Sequence, residues 1–316
     1  MRKPLVALII AVIGLGMLLP IVIITLQKDK NPHHGMTGVR MLLPDGQIKV
    51  LDLEQYLVGV VAAEMPASFA PEAIKAQAVA ARTYVAQILS QPDISSRHYD
   101  VDTTQKTQGW LSDAAMRQRW GIMRYIPYKL RIEKAVQETK GLVLIYGGTY
   151  VEAFYFSNAG RLPTEKADDV WGAPLPYLTN VPPESVEKSK FVVSSSFTSA
   201  QLDAKLGSSL DKRRSPGPKD VKITERTTAG RAKTVRVGSK LYQATWLRSQ
   251  LGLKSTDFVL SFSNGKVVFT TYGNGHAVGM SQYGANYLAQ EGKNFTAILQ
   301  HYYPGTKLID INSSNG

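Results

Sequence analysis

Residues Leu5 to Leu26 form an unbroken run of 22 residues without a charged side chain, directly behind Met1-Arg2-Lys3. At 1.5 Å per residue a helix of that length spans roughly 33 Å, enough to cross the hydrocarbon core of a bilayer. A secretory signal has a shorter apolar region, about 7–15 residues, and then a small-x-small cleavage site. Here the run ends at Thr25-Leu26-Gln27-Lys28, which offers no such site. The reading is a retained transmembrane signal anchor over 5–26, behind a short cytoplasmic stub, 1–4. Lys28 and Lys30 flank the outer end as Arg2 and Lys3 flank the inner one, and Asp29 tips the orientation toward an N-terminus inside. A tether over 27–36 and an extracytoplasmic ectodomain over 37–316 follow from it. His33 and His34 in the polar tether read as solvated side chains rather than metal ligands.

Composition narrows the rest. The 316 residues include no Cys, which removes disulfide scaffolds, thiol catalysis and Cys-ligated metal sites. With 44% hydrophobic and 20% charged residues, general disorder is excluded. The formal charge is +12, which by itself does not choose between nucleic acid, a membrane surface and an acidic polymer. A tethered domain outside the cytoplasm makes nucleic acid the wrong partner. Between Lys188 and Lys254 fifteen Lys and Arg face four acids, so +11 of the charge sits in one segment. That segment, 188–254, reads as a basic accessory lobe with short strands around Val235, Val237 and Leu241. A solvated basic face and a polymer-binding surface fit it equally, and either way it marks a surface rather than the active site.

The ectodomain alternates strand and helix signals in segregated runs, which favours an α+β fold of helices and antiparallel strands over a doubly wound sheet. Val39 to Leu43 and Ile48 to Leu51 flank the turn Pro44-Asp45-Gly46, and Asp52 is placed to cap a helix through Leu53, Tyr56, Leu57 and Val60. Met65-Pro66 stops that helix, and Pro71 opens the next, with an apolar stripe at Ile74, Ala78, Ala81, Val85 and Leu89. A basic helix is expected from Pro127 to Lys140, ending at Gly141. Hairpins are expected around Gly147-Gly148, with a second strand from Tyr150 to Phe156, and around Asn264-Gly265. The last 35 residues read as helices, interrupted at Gly292 and at Pro304-Gly305.

Phosphate-binding loops, the Gly-x-Ser-x-Gly elbow and His-Glu-x-x-His are absent. Two segments remain conspicuous. Glu64 follows Val60-Val61-Ala62-Ala63 and precedes Met65-Pro66. Enclosed there, its pKa would rise toward that of a general acid; exposed, it is an ordinary residue at a helix end. His276 lies in Gly275-His276-Ala277, leading to Ser281-Gln282-Tyr283-Gly284-Ala285. Small residues there admit a ligand to the backbone, or simply build a tight strand-to-helix connection.

The runs Leu53-Glu54-Gln55-Tyr56-Leu57, Glu64-Met65-Pro66, Glu72 to Tyr84 and Gly275 to Ala285 resemble the stage II sporulation protein D family, and with Tyr302-Tyr303-Pro304-Gly305-Thr306 the likeness covers roughly residues 37–310. The resemblance implies a membrane-anchored lytic transglycosylase, single-pass in the cell membrane, whose ectodomain faces the septal wall during engulfment of the forespore. Its substrate would be peptidoglycan glycan strands stripped of peptide, and its partners the amidase stage II sporulation protein P and the recruiter stage II sporulation protein M. The resemblance puts the catalytic acid on Glu64, and Gln105, His276, Ser281, Gln282 and Tyr283 around the sugar. The alternative is a noncatalytic peptidoglycan-binding scaffold or amidase enhancer. Three departures stand out: Ala277 where relatives have Gly, Phe156 where they have His, and Gln105-Lys106-Thr107-Gln108-Gly109 where they have Gln-Cys-Gln. Without Cys and with Phe156 in the His position, no zinc and no other cofactor is expected.

Overall fold

Strands β1 (Val39–Leu42) and β2 (Ile48–Leu51) pair antiparallel across the Pro44-Asp45-Gly46 turn. In the computed structural model, residues 38–104, 107–184, 188–210 and 215–313 are described. The apolar run 5–26 lies outside them, and among the described residues no helix is long and apolar enough to cross a membrane. Asp52 accepts hydrogen bonds from the Glu54 and Gln55 N–H groups and so caps α1 (Leu53–Glu64). The helix ends where Met65 turns extended ahead of Pro66.

Helix α2 (Pro71–Leu89) starts on Pro71 and is the axis of the larger lobe. Its alanines, from Ala76 to Ala81, are all buried, because α1, α3 (Asp113–Glu138), β4 (Leu142–Tyr146) and the C-terminal helices α7 (Gln282–Gln290) and α8 (Phe295–Tyr302) pack against it from every side. Larger side chains would hold those elements apart. Arg82 is wholly buried within this helix and forks onto Glu54 at 2.6 and 3.0 Å, with its remaining bonds to the Leu142 and Val136 carbonyls. The pair thereby joins α1, α2 and β4.

The structure departs from three sequence expectations. The helix expected from Pro127 begins at Asp113, capped by Ser112, and its break falls at Gly121, whose φ of 71° and ψ of 163° only glycine adopts easily. The second strand of the Gly147-Gly148 hairpin stops early: β5 is Thr149–Tyr150, after which the chain leaves the sheet. Tyr155–Phe156 then forms β6 and pairs in parallel with β13 (Met280–Ser281). Finally, the C-terminal region returns as β14 (Lys307–Asp310), antiparallel to β4. The short β3 (Val101–Asp102) runs parallel to β1.

A second core, from Phe197 to Phe269, builds a smaller lobe. It holds the sheet β8 (Val221–Arg226), β9 (Ala232–Val237), β10 (Lys240–Gln243) and the sheet β7 (Val192–Phe197), β12 (Lys266–Tyr272), β11 (Phe258–Ser263). Packed with them are α5 (Ser199–Leu206) and α6 (Ala244–Leu251), while the short α4 (Ala167–Trp171) belongs to the larger lobe. The basic segment thus shares its core with the Asn264-Gly265 hairpin that follows it. The two lobes meet through polar groups, of which Asp257, Arg231 and Glu165 are buried. Arg161 binds Asp257 at 3.0 Å, and the fully buried Arg231 donates to the carbonyls of Ala159, Leu162 and Pro163 beside Glu165.

Candidate active site

Glu64 is the last residue of α1, so its side chain projects past the helix end into a groove of about 1210 Å³. The Gly109 N–H donates to Glu64 Oε1 at 2.7 Å. A Cβ on Gly109 would stand 2.9 Å from that oxygen, so a larger residue there would make the carboxylate shift. Burial raises the pKa of Glu64, and the Gly109 N–H and the Arg119 charge oppose the rise without cancelling it. Arg119 is held there because its Nη1 donates to the Ala62 and Ala63 carbonyls, which the end of α1 leaves unpaired. Glu64 is the only carboxylate lining the groove among the described residues.

Gln108 supports this end of the groove from below. Its amide accepts from Tyr56 OH at 3.2 Å and donates to Tyr155 OH at 3.1 Å and to the Ala81 carbonyl. One side chain therefore ties α1, α2 and β6 together next to Glu64.

The pairing of β6 with β13 brings the second motif to the same groove. Met280 N–H donates to the Phe154 carbonyl at 3.0 Å, and at Gly279 the backbones come so close that a Cβ would lie 2.0 Å from that oxygen. His276 hangs between the strands: its Nε2–H donates to the Tyr155 carbonyl, and its Nδ1 accepts from the Val278 N–H, each at 3.1 Å. With both nitrogens turned into the protein, burial lowers its pKa to about 4, and the nearby Arg248 adds to the effect. His276 is a neutral strut that sets the loop, with Phe154, Phe156 and Trp171 against its ring.

This predicts a pH signature. An unfolded imidazole titrates near 6.5 and His276 near 4, so the unfolded chain takes up the proton first as pH falls. The stabilisation is complete above about pH 6.5 and declines toward pH 4, with roughly 2 kcal/mol gone by pH 5. Urea midpoints at pH 7.5 and 5.0 should differ by correspondingly less in His276→Gln; an unchanged difference would mean that other groups carry it.

Ala277, next in the chain, has φ +69°, a left-handed backbone that costs a non-glycine residue about 1 kcal/mol. Its carbonyl is held by the Glu165 N–H at 2.7 Å, so the strain persists. Ala277→Gly should raise the melting temperature by about 2 °C; a fall would show that the buried methyl outweighs the strain.

The structure sorts the sequence-derived site residues. Glu64, His276, Gln282 and Tyr283 line one groove. Gln282 is buried and donates to Gln77, while Tyr283 packs edge-on against Phe69 and Phe191. Ser281 is withdrawn from the groove: it is buried, and its hydroxyl caps α7 by accepting from Gly284 N–H. Gln105 lies outside the described residues. The sequence reading missed Gln108, Gly109 and Arg119, of which the first two sit in the segment around Gln105 and the third carries no local signal. It also set the basic segment apart from the site, whereas Arg248 and Lys254 line the groove. Among the described residues no three His, Cys, Asp or Glu side chains gather as a metal site.

A family model described as stage II sporulation protein matches residues 45–146, the stretch that carries Glu64 and Gly109. The chain is 37% identical over 269 residues to stage II sporulation protein D of Bacillus subtilis (strain 168), covering 84% of this chain and 77% of that one. To stage II sporulation protein D of Bacillus amyloliquefaciens it is 37% identical over 272 residues, 84% of this chain and 76% of the relative. It is also 29% identical over 305 residues to the amidase enhancer of Bacillus subtilis, covering 80% of this chain but 40% of that longer protein. At 37% identity over most of both chains, the chain belongs to the stage II sporulation protein D family.

Proposed function

We propose that this sporulation protein is a membrane-anchored lytic transglycosylase that cuts peptide-stripped glycan strands of peptidoglycan during forespore engulfment. The observation that carries the reading is Glu64: a single enclosed carboxyl of raised pKa, positioned by Gly109 N–H, in an open groove with no second carboxylate among the described residues. Ordinary glycosidases need two carboxyl groups, one to protonate the leaving oxygen and one to activate water or attack carbon. A single acid suffices when the nucleophile belongs to the substrate.

The protonated Glu64 gives its proton to the oxygen bridging C1 of N-acetylmuramic acid and C4 of N-acetylglucosamine. The C1–O bond breaks, and the muramic C6 hydroxyl attacks C1 while passing its proton to the Glu64 carboxylate. The products are a free 4-hydroxyl and a 1,6-anhydro-muramic end, and the acid is restored. Holding the C6 hydroxyl near C1 supplies part of the rate. Trp120, Tyr128 and Trp171 along the groove offer flat faces suited to sugar rings. The apolar run 5–26 supports a membrane anchor in this reading, and the likeness to stage II sporulation protein D supports an ectodomain that faces the septal wall. The amidase stage II sporulation protein P, which strips the peptides, and stage II sporulation protein M are the partners this reading calls for.

A second reading, a noncatalytic enhancer of an amidase, is favoured by the 29% identity to the amidase enhancer. Mass spectrometry of peptide-free glycan incubated with the full-length protein in detergent decides between them. The transglycosylase yields 1,6-anhydro ends that Glu64→Gln does not. An enhancer yields none, and its Glu64→Gln variant still stimulates the amidase.

A further inference from the structure

The basic segment reaches the groove through its last two cations. Arg248 is on α6 and Lys254 on the loop behind it, and both line the groove that holds Glu64. One backbone oxygen fixes the arrangement: the Lys254 carbonyl accepts from Arg248 Nε at 3.2 Å and from Gly275 N–H at 3.0 Å. The smaller lobe is thereby bonded to the backbone of the His276 loop, which makes its cations a wall of the site.

Arg248 is half-buried, and its only partner is that carbonyl; no carboxylate pairs with it among the described residues. The two fully buried arginines are matched, Arg82 by Glu54 and Arg231 by Glu165. A partly desolvated guanidinium without a counter-ion is costly, and its planar fork suits a carboxylate held by two parallel hydrogen bonds. With Arg119, Arg248 and Lys254 set against Glu64 alone, the groove calls for a ligand that brings its own negative charge.

We infer that Arg248, assisted by Lys254, forms a carboxylate subsite for the free lactyl group of a muramic acid ring. The inference rests on the proposed reading of the groove as a glycan site and names what selects the strand. A lactyl group bearing a peptide is an amide, with no charge to offer and added bulk. The stripped group is an anion of the size the fork holds, so the smaller lobe reads whether the peptide has been removed.

The test uses full-length protein in detergent micelles carrying Glu64→Gln, so that glycan is not consumed. Its affinity is measured for end-labelled stripped glycan with free lactyl carboxylates, and for the same glycan with those groups capped as methylamides. The free-acid glycan should bind about tenfold more tightly at low salt. Adding Arg248→Gln should erase the difference by weakening the free-acid glycan alone. Lys254→Gln, at an exposed side chain that the fold does not need, should narrow the preference about threefold and decides the matter if the Arg248 variant does not fold. Lys266→Gln, elsewhere on the same lobe, should leave it unchanged. A preference that survives both groove variants, or equal weakening toward both glycans, overturns the subsite. A preference in a protein whose intact Glu64 makes no anhydro ends supports the subsite while the transglycosylase reading falls. Failure to bind either glycan takes down both.

Discussion

Glu64→Gln should reduce formation of 1,6-anhydro ends by roughly 10³-fold, within the range of about 10²–10⁴ for a positioned general acid. The substitution is close to isosteric. The amide oxygen can still accept from Gly109 N–H, and Arg119 stays on the Ala62 and Ala63 carbonyls, so the groove should keep its shape. What is lost is the transferable proton. The pH dependence follows with a definite sign: burial raises the pKa of Glu64, so the acid form persists to higher pH than an exposed glutamate allows. Activity should fall as pH rises through that raised value. Stability should move in the same direction, because a carboxyl whose folded pKa is raised favours the folded state at low pH and loses that advantage as it ionises. Glu64→Gln should flatten this part of the stability profile. Wild-type-like yields of anhydro ends from the variant would remove Glu64 from the chemistry.

The largest structural effect is expected at Gly279. A Cβ there would stand 2.0 Å from the Phe154 carbonyl oxygen, and the residue has φ +78°. The obstructing atom is backbone, held in turn by the Met280 N–H and the Tyr303 hydroxyl, so it has nowhere to yield. Gly279→Ala must therefore part β6 from β13, the pairing that carries the His276 loop to Glu64. A loss of more than about 4 kcal/mol in urea unfolding, or failure to fold, is expected. Gly292→Ala separates clash from strain: φ is +85° there, but nothing lies within 4 Å of the added carbon. That variant should lose only about 1 kcal/mol. Similar losses at both positions would show that contact with Phe154 is not what matters.

Local chemistry in the sequence accounts for much of the larger lobe. Asp52, Met65-Pro66 and Pro71 bound α1 and α2 as their side chains and fixed dihedrals require. The Ala-rich face of α2 signals close packing, although the helix turns out to be buried around almost its whole circumference rather than along one stripe. Reading failed where the decisive partner was distant. Nothing near Tyr150 indicates that β5 ends there, because the competing partner of Tyr155–Phe156 is β13, more than a hundred residues later. The start of α3 was hidden by Pro127, which looks like a helix opening but lies inside the element, while Gly121 makes the break.

The same division runs through the site. From sequence alone came the α+β class, the membership of Glu64 and His276 in one functional unit, and the location of nearly all the net charge. These depend on residue type, spacing and resemblance, which a linear chain displays. Only the tertiary structure decided what each group does. It enclosed Glu64 and gave it the Gly109 N–H, turned both nitrogens of His276 inward, and withdrew Ser281 to cap a helix. It also brought Arg248 and Lys254 from the basic segment to the groove wall. A pKa and a counter-ion are set by what surrounds a group within a few ångströms, and those neighbours come from chain segments that only packing brings together.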